Sequence, residues 1–545
     1  MDRFINKLNT WFYYFLSSKV IGKSNLNFQL KFPRVVAVGI FVFVMLGKPV
    51  VDFFFFGALE LNSLFFTILF SPLLAAGFIL FEPNEHWARS LAFFYSVIIF
   101  CGNCLLFSVV HLFNPSFQIF LEFQTFNFFN WMPVIGLDNF SLLFLILTSF
   151  LFCITFLSCW SNTSFGLYLF ELLLILEFIL FIVFTALDIF LFFIAYEAVI
   201  IPVFLIIGIW GGRSQRVYAA YLFFYYTFAG SMAMLFSIAY IYLVVGSTSF
   251  VIISNFSFTM TEQLFLFVSF FIAFASKLPL YPLHSWLPEA HVEAPTSGSV
   301  LLAGILLKMG GYGIVRWCFN IFPEMSVSVT NFVNTIAIIS ILYASFSALQ
   351  QLDIKRIIAY SSIAHMGFVV MGLFTFSEIG FLGAIFLMIS HGLISAGLFL
   401  CIGVLYDRYG TRSVLYYGGL SYFMPVYDTF FFVMCLSNMA FPGTMGFPGE
   451  FLILCAVYHS SPFLFFILLL GVFLTGVYTI WMYCRIMLGQ VNRIGFVRKF
   501  SDINFREVSI FLSIIFPSII FGLVPNMIFS IYDFWVIFNL EVLKL

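Results

Sequence analysis

Six ionisable side chains stand inside stretches of sequence that are otherwise apolar. They are two carboxylates, two amines and two imidazoles, namely Glu197, Glu450, Lys277, Lys308, His365 and His391. A charge within a membrane span costs about 2.5–3.5 kcal/mol on insertion scales, so such a group is a functional candidate by default. An imidazole exchanges protons near neutral pH, and a lysine, with an ordinary pKa of about 10.4, does so only when burial and neighbouring charge alter it. These residue types predict a proton route through a membrane.

Each candidate also has a purely structural explanation. A buried Glu or Lys can belong to an ion pair or snorkel to the interface, an explanation that fits Glu450 better than Lys277 or Lys308. A single buried histidine is often only a hydrogen-bonded core residue. Because two lysines, two carboxylates and two histidines share one chain, function is favoured for the set. His284 and His291, in HSWLPEAHVEAP, are expected to be joint residues, with an access role as the alternative.

The composition requires a membrane around these groups. Of 545 residues, 63% are hydrophobic and 9% are charged, whereas soluble domains carry about 25% charged residues. Short polar joints separate the apolar stretches, so we expect one integral bundle without a soluble domain. The net charge of −1 gives no basis for nucleic-acid binding. Cys101 and Cys104 are a lone close pair, so we predict neither a metal site nor a cofactor bound by this chain.

Apolar stretches of about 20 residues, the length of a spanning helix, set the number of crossings. Fifteen can be drawn, at 35–56, 61–81, 89–113, 134–160, 165–186, 188–211, 217–245, 264–283, 295–316, 331–349, 357–375, 380–404, 424–458, 463–484 and 508–533. Lys48, Pro49 and Asp52 interrupt the first one. The sequence therefore predicts an all-α polytopic membrane protein with about 14 core transmembrane helices and an additional N-terminal helix.

Basic residues fall at alternate joints, as the excess of Lys and Arg on the cytoplasmic or matrix side predicts. One side, the positive side, receives Arg89, Arg213, Arg216, Lys355, Arg356, Arg408, Arg412, Arg485, Arg493, Arg498, Lys499 and Arg506. The opposite side receives only Arg316 and Lys544. This distribution orients the bundle and leaves Lys48, Lys277 and Lys308 inside the membrane.

Two spans are interrupted by proline and glycine. The first break follows Lys277 at Pro279 and Pro282, and the second runs from Pro442 to Gly449. Freed backbone groups inside a bilayer must face protein or water, and matched breaks in two halves of a chain indicate an ion site between repeats. Pro279 and Pro442 are 163 residues apart, which predicts two five-helix repeats. An odd number of helices per repeat inverts the second relative to the first.

Three motifs resemble one known family. They read KLPLYPLHSWLPEAHVEAPTSGSVLLAGILLKMGGYG at 277–313, QLDIKRIIAYSSIAHMG at 351–367 and MISHGLISAGLFLC at 388–401. All three closely resemble the antiporter-like subunits of respiratory complex I, the NADH:quinone oxidoreductase, and among these subunit 4 and its bacterial counterparts. The resemblance runs from about residue 61 to 533. Glu450 agrees with subunit 4, because subunits 2 and 5 usually place a lysine there.

The resemblance implies a 14-helix core, two inverted five-helix repeats, broken seventh and twelfth helices, and a chain of buried charges. The matching residues are Glu197 in the fifth helix, Lys277 in the seventh, Lys308 in the eighth, Glu450 in the twelfth, and His365 and His391 at the bridging polar positions. Glu177 and Asp188 also match family positions and are expected to be auxiliary, as are His284 and His291. The chain departs from the family at Leu222, where many bacterial members have a lysine, and in an N-terminal extension.

The resemblance also implies a function, that of a proton-translocating membrane-arm subunit of NADH:ubiquinone oxidoreductase. NAD, flavin, iron–sulfur clusters and ubiquinone would then belong to other subunits, and the partners would be neighbouring antiporter-like subunits and lipids. One alternative is a subunit of a multisubunit cation/proton antiporter or a membrane-bound hydrogenase, and another is a passive scaffold of the membrane arm. The 83 phenylalanines, typical of an AT-rich organellar genome, favour the mitochondrial inner membrane over a bacterial inner membrane.

The chain is accordingly predicted to have five parts. They are an N-terminal extension at 1–60, N-terminal core helices at 61–160, a first antiporter-like repeat at 161–320, a second inverted repeat at 321–487, and a C-terminal loop with the last helix at 488–545.

Overall fold

Most of the chain beyond residue 60 is described by a computed structural model. The described residues are 61–82, 84–110, 114, 116–122, 133–161, 166–490 and 501–543. The helix predicted at 35–56, with Lys48 and Asp52, lies outside them, and so does Lys544.

Helices of spanning length fill the first half of the described chain. They are α1 (Leu61–Phe81), α2 (Glu85–Val109), α3 (Asn139–Ser158), α4 (Gly166–Thr185), α5 (Ile189–Trp210), α6 (Arg216–Val245) and, after the short α7 (Phe250–Ser254), α8 (Met260–Lys277). A small antiparallel sheet of β1 (Ile119–Glu122) and β2 (Val134–Leu137) precedes α3. The segment drawn at 134–160 therefore begins as a strand, and its helix starts at Asn139.

The second half continues the bundle. Its helices are α9 (Trp286–Glu293), α10 (Thr296–Ile321), α11 (Pro323–Ser328), α12 (Thr330–Gln350), α13 (Ile354–Leu373), α14 (Glu378–Tyr409), α15 (Pro425–Asn438), α16 (Gly446–Ser460), α17 (Pro462–Met487), α18 (Phe505–Leu523) and α19 (Asn526–Leu543). The segment drawn as one helix at 508–533 is two helices. Pro525 disfavours the helical conformation at Val524 and has no N–H to continue the ladder, so α18 ends there.

Two of the crossings are broken, as the sequence predicted. Thirteen helices among the described residues are long and apolar enough to cross a membrane. α15 and α16, of 14 and 15 residues, are the two halves of one more crossing, and α9 continues the crossing that α8 begins. The 14 predicted core helices are therefore present. The breaks lie at 278–285 and 439–445, so Pro448 and Gly449 belong to the first turn of α16 and not to the break.

Two aspartates mark corresponding points of the two repeats. Asp188 precedes α5 and Asp353 precedes α13, and each caps its helix by accepting a backbone N–H, at 2.8 Å and 3.0 Å. Each also forms an isolated antiparallel bridge beyond the next long helix, to Ser249 and Ser413 respectively. The aspartates are 165 residues apart, close to the spacing of the two breaks. Five crossings, α5 included, separate Asp188 from Asp353, so the two bridges lie at opposite ends of the bundle and the second repeat is inverted.

A buried ion pair closes the end of the bundle opposite the positive side. Arg316 Nη2 lies 2.6 Å from Asp138 Oδ2, and the side chains are 4% and 1% exposed. Asp138 caps α3 and also accepts from Trp535 Nε1 of α19 at 3.1 Å. The Arg316 guanidinium donates to the Tyr312 hydroxyl at 3.2 Å and lies 5.0 Å from the Phe117 ring centroid. Arg316, which the sequence placed at a joint, thus holds α3, α10 and α19 together.

Removing one partner of this ion pair should destabilise the bundle. Arg316→Leu leaves the Asp138 carboxylate buried and uncompensated, at an expected cost of about 3–5 kcal/mol in the free energy of unfolding. Thermal denaturation of the purified membrane protein measures the loss. The double variant Arg316→Leu with Asp138→Asn keeps a capping side chain and removes the stranded charge, so it should recover at least half of the stability. Equal losses in the single and double variants would contradict this account.

Candidate functional site

Lys277 is the last residue of α8, and its side chain is buried within the protein. Its Nζ donates to the backbone carbonyl oxygen of Tyr196 at 2.5 Å and lies 3.3 Å from the centroid of the Tyr196 ring. A carbonyl dipole, an aromatic face and the C-terminal end of a helix each stabilise a cation. One residue of α5 therefore holds the Lys277 amine at the break.

Four consecutive carbonyl groups at the end of α8, those of residues 273–276, accept hydrogen bonds from the break or from other parts of the protein. The Tyr196 hydroxyl donates to Ala273 O at 2.9 Å, and Trp286 Nε1 donates across the break to Ser276 O at 2.8 Å. The two carbonyls between them accept backbone N–H groups from the break itself, at 2.8 Å and 3.1 Å. Because water is scarce at membrane depth, this pairing is what makes the interruption tolerable.

Glu197 follows Tyr196 on α5 and is half-buried. Its carboxylate interacts electrostatically with Lys277 and hydrogen-bonds Ser231 of α6. Its Oε1 atom has no hydrogen-bond partner within the protein. Lys277 makes its hydrogen bond to the Tyr196 carbonyl and not to this carboxylate, so the two charges attract each other without being fixed together.

Lys308 and His391 are in direct contact between α10 and α14. Lys308 Nζ donates to Ala303 O at 2.6 Å and lies 2.8 Å from His391 Nδ1. An ammonium can only donate, so with a charged Lys308 the His391 Nδ1 atom accepts and the ring proton resides on Nε2. His391 Nε2 has no hydrogen-bond partner within the protein. That nitrogen can therefore pass a proton onward.

Two π-helical turns flank Lys308. They span Leu302–Leu306 and Ile314–Cys318, and all of their residues are buried. A π turn shifts the hydrogen-bond ladder by one residue and occurs preferentially at functional sites. The first π turn contains Ala303, whose carbonyl accepts from the Lys308 amine.

His365 and Glu450 continue from His391. The rings of His365 and His391 have centroids 5.5 Å apart, and His365 Nδ1 lies 3.0 Å from Glu450 Oε1. This close approach lacks the alignment of a hydrogen bond, since both carboxylate oxygens and both His365 nitrogens have no hydrogen-bond partner. A cavity of about 10 Å³ adjoins both histidines, Glu450, Ser390 and Asn438, which is close to the space that one water needs.

The six predicted residues form two groups. Glu197 and Lys277 are one, and Lys308, His391, His365 and Glu450 are a continuous series. The groups adjoin through Gly310 of α10. A Cβ atom there would come within 2.6 Å of Leu278 Cγ and 2.8 Å of Phe274 O, so only glycine lets the helix of Lys308 pack against the break beside Lys277.

The auxiliary acids lie apart from these groups. Glu177 is fully buried in α4, neither of its carboxylate oxygens has a hydrogen-bond partner, and it interacts electrostatically with Cys153. Asp188 is the cap of α5 and also accepts from the Thr248 hydroxyl at 2.5 Å. In the part of the chain that the structure describes, no three His, Cys, Asp or Glu side chains are grouped to share a metal ion.

The two motif histidines differ from each other. His284 lies in the break, with its ring 5.1 Å from that of Tyr343. His291 lies in α9, is fully buried, and stacks on Phe399 at 4.6 Å. Neither of its ring nitrogens has a hydrogen-bond partner, and it interacts electrostatically with Lys308, His391 and Lys355. Of the two, His291 therefore adjoins the main series.

Sequence reasoning missed three residues around the site. Lys355 and Arg412 were placed in a joint on the positive side, but both are 2% exposed and contact α9. Their burial within the protein was not predicted. Tyr478 of α17 is also buried and interacts electrostatically with Glu450. The sequence carries no signal for the burial of Lys355, because Arg356 in the same first turn of α13 is 36% exposed.

A family model matches residues 186–476, which include both groups. Its description is "NADH:quinone oxidoreductase/Mrp antiporter, TM". The matched range begins just before α5 and ends within α17.

Similar proteins cover most of the chain. NADH-ubiquinone oxidoreductase chain 4 of Chondrus crispus is 43% identical over 85% of this chain and 95% of its own length. NADH-quinone oxidoreductase subunit M of Rhodobacter capsulatus is 40% identical over 82% of this chain and 88% of its own length. A chain in the structure of respiratory complex I from Thermus thermophilus with bound NADH superimposes with a TM-score of 0.80 at 26% identity, covering 88% of this chain and all of that one.

The contact between Lys308 and His391 predicts an asymmetry in stability. His391→Leu leaves the Lys308 amine buried with only the Ala303 carbonyl as acceptor, and should lower the free energy of unfolding by about 1–3 kcal/mol. Replacing both partners by apolar groups is nearly neutral, so adding Lys308→Leu should restore most of the loss. Thermal denaturation of the detergent-purified protein makes the comparison. A double variant less stable than the single one would rule out this pairing.

Proposed function

The chain belongs to the NADH:quinone oxidoreductase/Mrp antiporter transmembrane family, and we propose that it moves protons across the membrane as a membrane-arm subunit of an NADH:ubiquinone oxidoreductase. The observation that carries the proposal is the buried series from Lys308 through His391 and His365 to Glu450. Each member can hold or release a proton, and successive members lie close together. A passive scaffold would gain nothing from keeping such groups in a membrane, where charge is costly.

Lys277 and Glu197 are proposed to act as the switch that controls this series. With Glu197 ionised, its attraction and the Tyr196 carbonyl keep Lys277 charged. If a movement weakens the attraction, the buried amine favours its neutral form, because a low-dielectric interior penalises an unpaired charge. The released proton would then reach Lys308 and His391, by a step that water molecules can carry. Glu450, which adjoins the cavity of about 10 Å³, is the proposed exit for the proton.

His291 is proposed to give access to the series from the positive side. It lies on α9 and interacts electrostatically with Lys308, His391 and Lys355. Lys355 in turn interacts with Asp407, which lines a cavity of about 30 Å³ together with Arg506 and Glu507. That volume is enough for a water molecule.

The redox chemistry is proposed to belong to partner subunits that hold NAD, flavin, iron–sulfur clusters and ubiquinone. The partners of this chain would be neighbouring membrane-arm subunits, with lipids around them. The proposed location is the mitochondrial inner membrane, supported by the chain-4 relative from Chondrus crispus and by the helices of spanning length.

A subunit of a cation/proton antiporter is the alternative, because the family description includes the Mrp antiporter. The identity of 43% to an NADH-ubiquinone oxidoreductase chain 4 over 85% of this chain favours the first function. Native electrophoresis with in-gel NADH dehydrogenase staining separates the two. Migration in a smaller assembly without that activity would favour the antiporter, and sodium-dependent proton exchange would then be measured.

Neutralising the switch should stop proton movement. In the complex reconstituted into vesicles, Lys277→Ala and Glu197→Gln should each lower NADH-driven proton translocation by about tenfold or more, since a group that transfers protons contributes at least that much. A pH-sensitive dye reports translocation, and native electrophoresis confirms that the complex is assembled.

Glu262→Gln is the matched control. Glu262 is an acid on α8, the helix that carries Lys277, but it lies in the first turn, accepts from the Tyr240 hydroxyl at 2.6 Å and is far from the break. It should leave translocation near the level of the parent protein. Full translocation by an assembled Lys277→Ala complex would refute the proposed role of this lysine.

A further inference from the structure

The half-helix α9 ends on the positive side with an unusual set of donors. The last carbonyl groups of a helix have no partner within it, and Pro295 prevents α9 from continuing. Each of these carbonyls is nevertheless satisfied from outside the helix. Ser299 of α10 donates to His291 O at 3.2 Å, and the Gly212 N–H, from the joint after α5, donates to Glu293 O at 3.0 Å.

Two buried cations complete the set. The Lys355 amine, in the first turn of α13, donates to Ala294 O at 2.9 Å and to the Ser299 hydroxyl at 3.2 Å. The Arg412 guanidinium, from the joint after α14, donates to Val292 O. A cation at a helix C-terminus is stabilised by the helix dipole as well as by the bond. These interactions explain why two basic residues of a joint are buried.

A third basic residue contacts the side of the same half-helix. Arg356, next to Lys355, binds both carboxylate oxygens of Glu289 in α9, at 2.7 Å and 2.9 Å. Both bonds come from the single Nη2 atom of Arg356, so the contact is a charge-assisted ion pair. We call Lys355, Arg356 and Arg412 the basic clamp. All three come from the second repeat, whereas α9 belongs to the first.

The basic clamp holds one end of α9 in position. At its other end α9 is joined to Lys277 through the break at 278–285, and Trp286 at its start donates to Ser276 O of α8. α9 also carries His291, which adjoins Lys308 and His391. A displacement of α13 or of the joint after α14 would therefore be passed through α9 to the Lys277 end of the site.

We propose that Lys355, Arg356 and Arg412 are positioning residues that couple α9 to the second repeat and so fix the geometry of the proton route. They do not themselves carry the transferred proton in this role. The inference rests on the proposed function, because the geometry matters only if protons pass along the series.

Hydrogen–deuterium exchange in the intact complex tests the contact directly. Arg412→Gln should speed the exchange of amides in residues 286–294 by about tenfold or more, the factor that loss of a hydrogen bond to a charged group predicts, while Arg412→Lys should restore part of the protection. The same complexes in vesicles should translocate fewer protons per NADH oxidised. The ratio is used because a general loss of assembled complex lowers both quantities equally.

A charge exchange provides a second route if Arg412→Gln does not assemble. Arg356→Glu opposes Glu289 with a like charge and should expose α9 to exchange. The double variant Arg356→Glu with Glu289→Arg rebuilds the pair and should restore both protection and the proton ratio. Arg408→Gln is the matched control, since Arg408 lies close by in the chain but binds Glu507 of α18 at 2.6 Å. It should leave exchange in 286–294 unchanged.

Unchanged protection of α9 in both Arg412→Gln and Arg356→Glu would overturn the clamp. So would faster exchange with a proton ratio equal to that of the parent. Lys277→Ala, measured in parallel, separates this result from a failure of the proposed function. If Lys277→Ala also leaves the ratio unchanged, the proton route itself is wrong, whereas the exchange data still decide whether the clamp holds α9.

Discussion

The end of α8 places free carbonyl groups and an ammonium at the depth of a bilayer, where an unpaired polar group costs several kcal/mol. The rest of the site depends on the hydrogen-bond partners that pair these groups. Tyr196 supplies two of these partners: its carbonyl accepts from the Lys277 amine, and its hydroxyl donates to Ala273 O. Trp286 supplies another, since its Nε1 donates to Ser276 O from the far side of the break. The interruption that frees Lys277 from a regular helix is thus also what fixes α5 and α9 against it.

The two groups of charges differ in how closely their members contact one another. Around Lys277 the partners are a carbonyl, a ring and a carboxylate that attracts the amine without a direct hydrogen bond. From Lys308 to Glu450 the members lie within hydrogen-bond or ring contact, and His391 and His365 still have nitrogens without partners. A fully satisfied network would be rigid and would hold its protons. The series from Lys308 to Glu450 is not such a network, because these nitrogens have no partners.

The sequence was sufficient to predict what depends on composition and spacing. Helices of spanning length, the two breaks and the six ionisable residues within the spans follow from apolar length, from proline and glycine, and from the cost of charge in a membrane. The contacts could not be predicted, because they join residues far apart in the chain. Arg316 meets Asp138 across 178 positions and Lys355 meets Ala294 across 61. Basic residues at the end of a span look like joint residues whether they face water or turn inward, so the burial of Lys355 and Arg412 has no signature in composition.

Inversion of the repeats explains why cations of the second repeat meet a half-helix of the first. Asp188 and Asp353 occupy equivalent points but lie at opposite ends of the bundle. The first turn of α13 therefore reaches the positive side, where α9 also ends, whereas the equivalent turn of α5 lies at the other end. Arg213, in the joint after α5, pairs with Asp353 at 3.4 Å, so a third segment also contacts the start of α13 on the positive side. Gly211 permits this convergence, since a Cβ atom there would lie 2.9 Å from Glu293 O. The positive side is thus where segments of the two repeats are joined, by Lys355 and Arg412 to the end of α9 and by Arg213 to Asp353.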